Sequence, residues 1–134
     1  MNNFEKNHEL GEPENFSIKF KRRTQLMALN VIKMVDTLPN KSSAWIIGKQ
    51  ILRSSTSTAA NFRAVCQARS LKERFAKLSI VVKEADETLF WLELIEKAQL
   101  AKPTEQFKQL EFESSAILKV ISSYRATLKR KLNT

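Results

Sequence analysis

A chain of 134 residues and 15.4 kDa is long enough for one domain with a buried core, and 43% hydrophobic residues argue against wholesale disorder. Two glycines and three prolines cannot supply the turns of a β-sandwich or barrel, and the single cysteine, Cys66, excludes an internal disulfide and a Cys/His zinc motif. The net charge of +9 suits an anionic partner.

Residues 1–14 carry Glu5, Glu9, Glu12 and Glu14 against Lys6 and lack hydrophobic periodicity. They read as a flexible acidic tail, and the four-helix domain is expected over 15–132. The tail has no apolar segment of the kind that directs secretion, and no apolar run approaches the length of a membrane span. A cytoplasmic protein without a membrane partner is expected.

The first helix is predicted from Phe16 through Phe20, Met27, Val31, Val35 and Leu38, with Asn15 or Ser17 as its cap and Leu38-Pro39-Asn40 as its stop. A second begins at Ser42 or Ser43 and shows Trp45, Ile47, Ile51, Leu52, Ala59, Phe62 and Cys66 at helical spacing. Gly48 weakens it by about 1 kcal/mol relative to alanine. Ser70-Leu71-Lys72-Glu73 has the form of a capping box and opens the third helix, which runs through Phe75, Leu78, Val82, Ala85, Leu89 and Leu92 to Ala101-Lys102-Pro103. The fourth follows Thr104 with Phe107, Leu110, Ser114, Ile117, Ile121, Tyr124 and Leu128. Four amphipathic helices with short connections predict an all-α, up-down-up-down bundle.

Inside the second helix lie five consecutive hydroxyl residues, Ser54 to Thr58. Serine needs a neighbouring base to act as a nucleophile, and the one histidine, His8, belongs to the tail. The stretch therefore reads as a face of small side chains that lets another helix approach. A turn near Ser70 pairs positions whose numbers sum to about 140, which sets Arg53 opposite Glu87 and Asn61 opposite Ser79. Arg53, Asn61, Glu84 and Glu87 are thus expected to make polar contacts between helices. As catalytic or metal-binding carboxylates, Glu84 and Glu87 lack the histidines that a di-metal bundle uses. Trp45, Phe75, Phe90, Trp91, Phe107 and Tyr124 sit at or near core spacing, although Phe90 and Trp91 cannot both point inward, which leaves one for a subunit interface. The glycines are too few and too far apart for a phosphate loop. No catalytic residue, cofactor or metal is assigned.

The basic residues carry more information once the helices are placed. Residues 15–134 hold 22 basic and 10 acidic side chains. In an up-down-up-down bundle the first helix begins, the second ends, the third begins and the fourth ends at one pole. That pole collects Lys19, Lys21, Arg22, Arg23, Arg63, Arg69, Lys72, Arg74, Lys77, Arg125, Lys129, Arg130 and Lys131, with Glu73 almost the only acid outside the tail. Contact with the backbone of RNA or DNA is the leading reading. The alternative is an adaptor that binds a protein partner and uses its charge for solubility.

The run from Gln50 to Arg63, followed by Ala68-Arg69-Ser70, Lys77-Leu78 and Glu84-Ala85-Asp86-Glu87-Thr88-Leu89-Phe90-Trp91-Leu92-Glu93-Leu94, resembles the bacterial four helix bundle proteins encoded by intervening sequences of 23S ribosomal RNA genes. The likeness spans roughly residues 16–130. The chain departs from the common family pattern at Thr58-Ala59 and at Arg63-Ala64-Val65. The resemblance implies a left-handed bundle that assembles into a ring-like homopentamer. A similar basic bundle serves as the accessory protein of diversity-generating retroelements, a likeness of fold and charge alone.

Overall fold

The structure, a computed structural model, describes residues 12–134 and consists of four helices: α1 (Glu12–Val35), α2 (Ser42–Cys66), α3 (Leu71–Lys97) and α4 (Glu105–Leu132). Each helix packs on the next and α1 packs on α4, which closes an antiparallel four-helix bundle. Among the described residues there is no strand, and no helix is long and apolar enough to cross a membrane. The expected tail lies outside the described residues as far as Gly11. Glu12–Glu14, expected to belong to it, form the first turn of α1 instead, where the missing N–H of Pro13 has no intrahelical carbonyl to meet.

Local chemistry sets the helix ends. The Ser70 and Thr104 hydroxyls accept the amides of Glu73 and Phe107 at 3.1 Å each, which caps α3 and α4. The Glu73 carboxylate reaches back to the amide of Arg69, one residue before the cap. At the far end of α3, Gln99 adopts φ 57, while the amides of Gln99 and Leu100 return to the carbonyls of Glu96 and Ile95, both at 3.0 Å. This αL turn is usually made by glycine. Gln99→Gly should therefore raise the urea midpoint, with a gain of about 0.5–1 kcal/mol, and a lowered midpoint would show that the turn carries no strain.

The interior is built from one stripe of each helix. Met27, Val31, Ile51, Phe62, Leu78, Leu92, Ile95, Ile117 and Ile121 are fully buried. Gly48 lets α2 approach the end of α1, since a Cβ there would lie 3.2 Å from Val35 Cγ1. Trp45 departs from its expected core position and is 66% exposed. Its neighbour Ala44 occupies the inward position instead, and consecutive residues on a helix cannot face the same way. Of the adjacent pair on α3, Trp91 packs against the core and Phe90 faces outward.

The hydroxyl run of α2 is continuous helix. Ser54, Ser55 and Thr58 are fully buried, whereas Thr56 points outward. The Thr88 hydroxyl of α3 donates to Ser54 Oγ at 2.9 Å, and Thr58 Oγ1 donates to Ser54 O at 2.8 Å. Small side chains bring α2 against α3 there, and local hydrogen bonds satisfy the buried hydroxyls.

Candidate functional site

Three contacts tie the four helix ends of the basic pole together. Phe16 at the start of α1 meets the Tyr124 ring of α4 edge-on, with centroids 5.4 Å apart. Cys66 at the end of α2 sets its thiol 3.8 Å from Ser17 O. Arg74 in the first turn of α3 directs Nη1 at the Tyr124 hydroxyl, 3.4 Å away. Burial pushes the Cys66 thiol above its ordinary value, so it is protonated at neutral pH.

The cations gathered at this pole fall into two groups. Lys19, Arg63, Arg69, Lys72, Lys129, Arg130 and Lys131 are exposed, as is Arg22 near the middle of α1. Lys21, Arg74, Lys77 and Arg125 are half-buried, and two of these hold internal positions. Arg74 meets Tyr124, while Arg125 Nε donates to Ser79 Oγ at 2.8 Å and its guanidinium covers the Phe75 ring at 4.6 Å.

Arg23 does not join the free cations. It lies halfway along α1, where the register of the α1–α4 pair brings it to Glu113, and its Nε and Nη2 each donate to a carboxylate oxygen at 2.7 Å. Hydrogen bonding to Glu113 raises the guanidinium above its ordinary value. A bidentate pair of this kind neutralises Arg23 and fastens α1 to α4.

The contacts between α2 and α3 centre on Arg53. Its Nη1 lies 3.0 Å from Glu84 Oε2 and its Nη2 lies 2.5 Å from Glu87 Oε1. Glu87 also accepts from Trp91 Nε1 at 3.3 Å. Bonding to Arg53 lowers the Glu87 carboxyl below its ordinary range, and Glu87 raises Arg53 in turn. Glu84 is 7% exposed, so removal of Arg53 would leave a buried charge without this partner. Asn61 does not cross to Ser79 as expected. Its Nδ2 donates to Ser57 O at 2.8 Å and to Ser57 Oγ at 3.0 Å, because a partner one turn back on α2 is already within reach. Ser79 is held by Arg125 instead. Among the described residues no group of three His, Cys, Asp or Glu side chains stands close enough to hold a metal ion.

The other half of the bundle carries the acids. Burial against α3, a hydrogen bond with Glu96, and the charges of Glu96 and Glu93 together push Glu111 of α4 up to about 7. Sequence spacing gave no signal of this meeting, because α3 and α4 are separated by a turn that leaves their register open. In the unfolded chain the same carboxyl titrates near its ordinary 4.5. Between these two values the folded protein binds the extra proton, so this group makes stability fall as pH rises and leaves a constant deficit above about 7. Glu111→Gln should match the parent near pH 4 and exceed it at pH 8, by about 1 kcal/mol once solvent screening is allowed for. Urea midpoints at the two pH values test this, and an equal shift at both would contradict it.

The family model for 23S rRNA-intervening sequence protein matches residues 17–123. Among solved structures, a protein with unknown function from the S23 ribosomal protein family of Bacteroides thetaiotaomicron VPI-5482 is similar. It is 34% identical, its likeness covers 78% of this chain and 96% of its own, and the TM-score is 0.70. No curated protein matches the chain.

Proposed function

The chain belongs to the 23S rRNA-intervening sequence protein family, and from that premise we propose that it is a non-enzymatic homo-oligomer that binds the backbone of RNA or DNA through its basic pole. One observation carries the reading: exposed cations from four separate helix ends gather on a single pole. Of the acids at that pole, Glu73 is engaged by the amide of Arg69 at the start of α3. Such a surface attracts phosphates and releases their counterions, without base readout. The test is a titration of labelled structured RNA at several salt concentrations. Affinity should fall steeply with salt, and absence of binding at low salt would overturn the reading.

Assembly would multiply weak contacts of this kind. Leu26, Leu29 and Ile32 follow one another at helical spacing along α1 and are 56%, 53% and 39% exposed, while Phe112 on α4 is 77% exposed. Apolar side chains left open in a row favour burial against another chain, and a homopentamer is the assembly we propose. Light scattering should give five times the chain mass at micromolar concentration, and a monomer would contradict it. The same row would serve the second reading, an adaptor with a protein partner, which pull-downs after nuclease treatment would reveal. A cytoplasmic setting is part of the proposal, and the free thiol of Cys66 suits a reducing compartment.

A further inference from the structure

We propose that the polyanion matched to the basic pole is double-helical, the paired phosphate rows of an RNA or DNA duplex rather than a single strand. This rests on the backbone-binding reading above. Proteins that hold single strands offer open aromatic faces on which bases stack, interleaved with cations. Among the described residues, the aromatic rings at this pole pack against other side chains of the protein. Phe20 and Phe62 are buried, and Phe16 packs between Phe20 at 5.1 Å and Tyr124 at 5.4 Å. The Tyr124 hydroxyl meets Arg74, and Arg125 covers Phe75. The exposed aromatic side chains among the described residues, Trp45, Phe90 and Phe112, all belong to the other half of the bundle. Trp45 lies in the first turn of α2, Phe90 in the last third of α3 and Phe112 in the first third of α4.

What the pole does offer is charge on rigid supports. Lys19, Arg63, Lys72 and Arg130 stand near this pole on four different helices. Neighbouring helices pack 8–10 Å apart, so the end face of a four-helix bundle is roughly 20 Å across. Over that distance a duplex presents about twelve phosphate charges and a single strand about six. A stiff duplex also docks without the ordering cost that a flexible strand incurs. Twice the charge and a smaller entropic penalty both favour the duplex.

The experiment uses the full chain with a labelled 20-base-pair RNA duplex, the matching DNA duplex, and 20-nucleotide uridine and thymidine strands, at 50 and 200 mM salt. Each duplex should bind at least tenfold more tightly than its single strand at 50 mM salt, and the tighter duplex identifies the source of the phosphate rows. Arg63→Glu with Arg130→Glu should weaken duplex binding at least tenfold, and an undiminished affinity would overturn the assignment of duplex to this surface. Strands that bind as tightly as duplexes would overturn the inference and leave the backbone-binding reading standing. Failure of every nucleic acid to bind would overturn that reading, and the inference with it.

Discussion

Replacement of Ser54 by leucine should destabilise the bundle by about 3 kcal/mol, whereas the same change at Thr56, two residues away, should alter stability by less than about 0.5 kcal/mol. Ser54 is fully buried where α2 meets α3, and its hydroxyl accepts the Thr88 hydroxyl at 2.9 Å. A leucine side chain needs volume that the close contact does not provide, so it must push α2 away from α3 or adopt a strained rotamer. It also takes away one acceptor of a buried threonine, although the Thr88 hydroxyl can turn to Glu84 O, 2.9 Å away. Thr56 is exposed and bonds only within its own helix, to Leu52 O and Arg53 O. Thermal melts would show the contrast as a fall of about 10–15 °C against almost none. Equal effects at the two positions would mean that the hydroxyl run does not set the α2–α3 distance.

The second large effect is expected at the basic pole. Combined reversal of Lys19, Arg63, Lys72 and Arg130 to glutamate should weaken RNA binding at least a hundredfold near 100 mM salt. All four side chains are exposed, and none takes part in an ion pair found among the described residues. Loss of four phosphate contacts would cut the salt slope by about four, and the four new negative charges add repulsion. A matched reversal of Lys41, Lys97, Lys102 and Lys108 at the other end should leave affinity within about threefold, because their distance from the pole exceeds the screening length at that salt. Comparable losses from both sets would point to diffuse charge in place of a defined surface.

Much of this architecture was legible in the sequence because the physics there is local. Periodicity shows which face of each helix turns inward, and Ser70 and Thr104 mark two helix starts by a capping chemistry that depends on neighbouring residues alone. The Arg53 contacts with Glu84 and Glu87 follow from the short Ser70 turn, which fixes the register of α2 against α3. No comparable turn joins α1 to α4, so the Arg23–Glu113 pair, which removes one cation from the pole, could not be found by counting. Trp45 leaves the predicted stripe for a different reason. A helical stripe has a tolerance of one position, and Ala44 beside Gly48 fits the tight α1–α2 contact that tryptophan would not. Asn61 had two partners within chemical reach, and spacing across the helix pair could not rank them against Ser57 on the same helix.

Contact between one end of the bundle and a phosphate backbone can be mapped residue by residue. Backbone amide signals recorded in solution, with and without an RNA duplex, provide that map. Perturbations should cluster at residues 16–22, 63–74 and 124–132, the helix ends that form the basic pole. Perturbations confined to the opposite end, around residues 36–42 and 98–104, would contradict the account.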